Sequence, residues 1–81
     1  MIENLKELSL SDIAEVICKD WKNVNYAAKP YLEAMFSLQS VNQDYYQDSG
    51  KSVVLYFLSN ASSWRGEVAK AVKAELKARC K

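Results

Sequence analysis

The chain has 81 residues, 49% of them hydrophobic and 26% charged, with two glycines and one proline; this is material for one core, with too few breakers for a disordered tract or a second domain. A net charge of +1 announces neither a globally basic nucleic-acid binder nor an acidic mimic of DNA. Two cysteines and no histidine leave out the usual Cys/His zinc sets and the usual general base, so neither metal nor cofactor is expected, and a domain this small has little interior for a deep substrate cleft.

Taken in chain order, the residues predict four helices. The first follows Ser9 and Ser11, with Asp12 three residues beyond Ser9 as a faint capping-box pattern, and carries Ile13, Val16, Ile17, Trp21 and Val24 on one arc, Glu15, Lys19 and Lys22 on the other. It is predicted over 12–24. Asp20 falls inside the apolar arc. Residues 25–29 form a bend, because Pro30 is best placed in a first helical turn, from which the second helix runs through Tyr31, Leu32, Met35 and Phe36. From Gln39 to Asp48 no period is sustained, so a polar connecting loop is expected, with Tyr45 and Tyr46 prominent in it.

The third segment, capped by Asp48 or Ser49, holds the unbroken run Val53 to Leu58. Periodicity does not separate a buried strand from a buried helix here. A lone strand would leave its backbone groups unpaired, which favours a central helix, apolar all round. After a break at Asn60 to Ser63, the fourth and longest helix is predicted from Trp64 to about Arg79, with Trp64, Val68, Val72 and Leu76 every four residues and Gly66 in its first turn. The fold class is thus all-α, a compact four-helix domain. The longest apolar run is far short of the roughly 20 residues that cross a bilayer, and Glu3, Lys6 and Glu7 interrupt the start of the chain. A soluble cytoplasmic protein without membrane partners, holding Cys18 and Cys80 as free thiols, is therefore expected, with one disulfide as the alternative.

Charge is unevenly spread. Residues 63–81 carry six basic and two acidic side chains, whereas the first 22 residues carry three basic and five acidic. Lys70, Lys73, Lys77 and Lys81 lie within about 80° of one another on the helical wheel, a stripe that suits phosphates or an acidic protein surface as well as it suits a solvated face at the negative end of a helix dipole. Sequence-specific reading of DNA would want Arg, Asn or Gln on that face; Lys, Ala, Gly and Glu are what it offers. A small DNA-binding regulator with loose, salt-sensitive binding is accordingly the second functional reading.

Arg65, Glu75 and Arg79 project into or beside the apolar arc of the last helix and require partners. An ion pair from Asp20 to Arg65 or Arg79 is expected, fixing how the first and last helices meet. Arg65 beside Trp64 also has the composition of an interface anchor, and Tyr45 with Tyr46 offers contact area with a polar tip. No catalytic set emerges: Ser59, Ser62 and Ser63 have no histidine, Glu33 and Asp44 share no evident site, and Cys18 has no base.

The stretch DSGKSVVLYFLSNASSWRGEVAKAVKAELK, Asp48 to Lys77, resembles a family of short proteins carried by bacterial phages and other mobile elements, with a DSG start, a YFL-x-NA-x-x-W-R-G centre and a K-A-E-L-K end. KDWK at Lys19 to Lys22 and PYLEAM at Pro30 to Met35 are fainter parts of the same likeness. The resemblance supplies no catalytic residue. Its motif residues Asp48, Ser49, Gly50, Asn60, Trp64, Arg65 and Gly66 read first as caps and packing, and what it implies is context: an accessory protein that binds and modulates a host protein or nucleoprotein complex, such as a CRISPR effector. On residue chemistry the protein is expected to be non-enzymatic, with Trp64, Arg65, Tyr45, Tyr46, Lys70, Lys73 and Lys77 as contact residues and the oligomeric state left open.

Overall fold

The computed structural model describes residues 5–45 and 48–80, without the side chains of Asp44, Tyr45 and Asp48. After a 3-10 turn at Leu5–Glu7 come α1 (Leu10–Asp20), α2 (Lys29–Met35), the two-residue strands β1 (Asp44–Tyr45) and β2 (Asp48–Ser49), α3 (Gly50–Ser59) and α4 (Glu67–Arg79). The all-α, four-helix architecture expected from the sequence is the one observed.

Local chemistry explains most boundaries. The Ser9 hydroxyl accepts from the Asp12 amide at 3.2 Å and caps α1. That helix stops at Asp20, short of the predicted Val24, because Trp21 swings into extended backbone and turns inward, where it is 7% exposed. Asn25 then builds the bend: its Oδ1 accepts from the Ala27 amide and its carbonyl accepts from Ala28 and Lys29, with Pro30 following in the first turn of α2.

The 36–49 connection is fastened at both ends. Leu10 donates its amide to the Gln39 carbonyl, and β1 pairs antiparallel with β2, Asp44 opposite Ser49 and Tyr45 opposite Asp48. The sequence reads this stretch as loop only. Gly50 donates to the Gln43 carbonyl, and a Cβ at this position would lie 2.8 Å from the carbonyl oxygens of Gln43 and Ser40, so the connection closes onto α3 only because residue 50 has no side chain. Ser49 caps α3 by accepting from the Ser52 amide at 3.1 Å.

α1 packs against α2 and α4, and α3 packs against the same two helices. Between them lie Leu10, Ile13, Ile17, Leu32, Met35, Val53, Val54, Phe57, Val72 and Leu76, all essentially inaccessible. A helix in such an arrangement buries a stripe, not its whole circumference. The run read as apolar all round is divided accordingly: Val53, Val54 and Phe57 face inward, whereas Leu55 and Tyr56 are 44% and 53% exposed. No helix among the described residues is long and apolar enough to cross a membrane.

Candidate functional site

The joint between α1 and α4 is built on Trp64. Its side chain is 2% exposed and stacks on Trp21 with ring centroids 5.7 Å apart and planes 10° apart; Trp21 in turn meets Phe57 edge-on at 6.2 Å. A buried indole N–H needs an acceptor. Asp20 supplies it: Trp64 Nε1 donates to Asp20 Oδ2 at 2.8 Å. This corrects the expected ion pair. Asp20 is partnered by the indole; Arg79 donates to Glu75 Oε2 at 2.7 Å and to the carbonyls of Leu5 and Lys6, and Arg65 is exposed. Glu75 and Arg79, one turn apart on the helix, neutralise each other where the sequence reading looked across the fold.

The backbone of Trp64 positions one of the cations. Its carbonyl accepts from Lys73 Nζ at 2.6 Å, which draws the ammonium back along α4 and places it 5.9 Å from the centre of the Trp64 ring. α4 starts three residues later than predicted because the chain first passes Gly66 at φ +115°, ψ 179°, a conformation essentially confined to glycine. There the backbone turns outward, and nothing lies within 4 Å of the place a Cβ would occupy. The result is an open hollow of about 330 Å³ lined by Trp64, Arg65, Gly66, Ala69, Lys70 and Lys73.

Electrostatically this hollow is one-sided. Among the described residues the sole ion pair within 4.0 Å is Arg79 with Glu75, so Arg65, Lys70, Lys73 and Lys77 have no carboxylate partner among them. The Lys73 ammonium is held below the usual lysine value, first by desolvation against the Trp64 turn, then by the like charges of Lys77 and Arg65. The arrangement can hold an anion. Two larger or comparable hollows differ in character: one of about 590 Å³ lies between the Leu5–Glu7 turn and Ala71, Ala74, Glu75 and Ala78, and one of about 250 Å³ lies among Val16, Lys19, Asp20 and Val68.

The other predicted contact residues distribute unevenly. Arg65, Lys70 and Lys77 are exposed, Lys73 is half-buried, and Trp64 has turned inward, so it forms the floor of the hollow and not a protruding anchor. Tyr45 is placed by its backbone in β1, while its side chain, together with Tyr46 and Lys81, lies outside the described residues. Both cysteines are free, Cys18 exposed and Cys80 buried. Desolvation pushes the Cys18 thiol above its ordinary value, with Glu15 and Glu33 adding to it; burial does the same at Cys80 against a smaller opposing pull from Lys51. No group of three His, Cys, Asp or Glu that could hold a metal occurs among the described residues.

Sequence reasoning missed a second surface. Tyr31 on α2 stacks on Tyr56 of α3 with centroids 5.4 Å apart, beside the half-exposed Leu55, and Tyr26 stands 88% exposed in the bend. The signal was present in the length of the Val53–Leu58 run, since six consecutive helical positions sweep the full circle and some must face out. No family model matches the chain, and neither a curated protein nor a solved structure matches it.

Proposed function

We propose that this is a non-enzymatic accessory protein of the phage or mobile-element type, which binds a host protein or nucleoprotein complex, such as a CRISPR effector, and obstructs it. The contact surface in this reading is the face of Arg65, Lys70, Lys73 and Lys77. One observation carries it: four cations gather at one end and along one side of α4 with no carboxylate partner among the described residues, a field that a complementary acidic or phosphate-bearing surface would relieve. The resemblance of Asp48 to Lys77 supplies the setting.

The test is capture of the host complex by the tagged chain, compared with Arg65→Glu/Lys77→Glu, both exposed positions. Reversing two charges is expected to reduce capture at least tenfold with unchanged thermal stability; undiminished capture overturns this face as the contact. The row of lysines also favours a second reading, a small DNA-binding regulator. Duplex affinity that falls steeply with added salt, in the absence of any host protein, would select it.

A further inference from the structure

Three surfaces stand outside the packing already explained: the Tyr31–Tyr56 pair, the hollow beneath the Leu5–Glu7 turn, and the cationic hollow at the head of α4. The third gathers the most charge, and a ligand there would deepen, and rests on, the reading of α4 as the contact face.

Arg65, Lys70 and Lys73 line one recess of about 330 Å³, room for roughly ten waters at about 30 Å³ each. That volume is ample for a tetrahedral oxyanion with the first atoms of its carrier, and the recess is a shallow, open pit. Lys73 is fixed at its wall by the Trp64 carbonyl and the indole face, so one ammonium is already positioned. Arg65 and Lys70 are exposed, with three or more donors each free to turn inward. Three cations with no carboxylate within 4.0 Å, Glu67 being the acid nearest them in sequence, suit a dianion better than the single charge of a diester. Lys77 lies close enough to Lys73 to depress its protonation and sits one turn further along the helix, about 6 Å on. Positive charge therefore continues away from the pit, as a carrier with charges of its own beyond the terminal group would require.

We infer that the Arg65–Lys70–Lys73 hollow binds a terminal phosphate monoester of a nucleic-acid strand, with Lys77 under the adjoining diester. Arg65 grips two phosphate oxygens with its fork, Lys70 and Lys73 neutralise the remainder, and Gly66 leaves the mouth open.

The experiment is an amide chemical-shift titration of the full chain with inorganic phosphate, then with one short single-stranded oligonucleotide bearing either a terminal phosphate or a terminal hydroxyl. Phosphate is expected to shift Arg65, Gly66 and Lys70, and the phosphorylated strand to bind at least tenfold more tightly than its hydroxyl twin. Arg65→Ala/Lys70→Ala, with Lys70→Ala alone as the milder variant, is expected to abolish that preference while the melting temperature holds. Equal affinity for the two strands, perturbation centred elsewhere, or a phosphoserine peptide that outcompetes the strand overturns the inference. Failure of the wider reading looks different: if the phosphate preference disappears in Arg65→Ala/Lys70→Ala while capture of the host complex survives Arg65→Glu/Lys77→Glu, the anion site stands and the contact face falls.

Discussion

Trp64 buries a large ring and brings its single polar atom to a carboxylate at the protein surface, Asp20 Oδ2, 2.8 Å away. Removing the acceptor strands the N–H of a side chain that is 2% exposed. Asp20→Ala is therefore expected to cost about 1–3 kcal/mol, and Asp20→Asn, which retains a carbonyl oxygen, markedly less, as read from urea denaturation. Gly66 isolates a different term. Since open space surrounds the missing Cβ, any loss in Gly66→Ala is backbone strain at φ +115° and not collision; about 1–3 kcal/mol is expected in the same measurement. Lys73 makes stability depend on pH. Its protonation is depressed in the folded chain, so between that lowered value and the ordinary lysine value the unfolded chain binds more protons, and stability contributed by this site rises with pH. Because the raised thiols of Cys18 and Cys80 act in the opposite sense, the site is read as a difference: stability of the native chain relative to Lys73→Met, which keeps an apolar stem over the indole, should rise with pH across the window, and a flat difference would overturn it.

Each helix shows which part of its extent is local in origin. Ser9 and Ser49 as caps, Pro30 in a first turn, and the four-residue repeat of α4 were legible in the sequence because each depends on neighbours within one or two turns. What was not legible depends on distant residues. α1 ends at Asp20 because Trp21 leaves the helix to stack on a residue 43 positions away. Asp20 chose an indole over two arginines for the same long-range reason. At the site, Arg65, Lys70, Lys73 and Lys77 were readable as a cationic set; that Lys73 bends back to the Trp64 carbonyl, and that three of them close around one recess, required the fold. Arg79 shows how one side chain can fasten an element, since its guanidinium ties the Leu5–Glu7 turn to the end of α4 through the carbonyls of Leu5 and Lys6, beside the packing of Leu5 and Leu8 on the core. Arg79→Ala is expected to cost about 1–3 kcal/mol and to quicken amide exchange and proteolysis in that turn while α2 and α3 keep their protection.

For the whole molecule, α1, α3 and α4 meet through a row of aromatic rings, Phe57 against Trp21 and Trp21 against Trp64, contributed by α3, the residue after α1 and the approach to α4, while α2 joins through the aliphatic core. No helix can leave without opening that row or the aliphatic core beside it, so loss of helical circular dichroism and loss of native tryptophan emission are expected to coincide on one urea curve. Separate transitions for the two signals would show that a helix detaches on its own. The parallel indoles have a further consequence. They are the protein's only two tryptophans, and at 5.7 Å their excited states couple, so the native near-ultraviolet spectrum should differ from that of two separate indoles. A cation 5.9 Å from one ring tunes the colour of that light through its electric field, which makes the folded chain its own optical gauge of whatever draws the Lys73 ammonium aside.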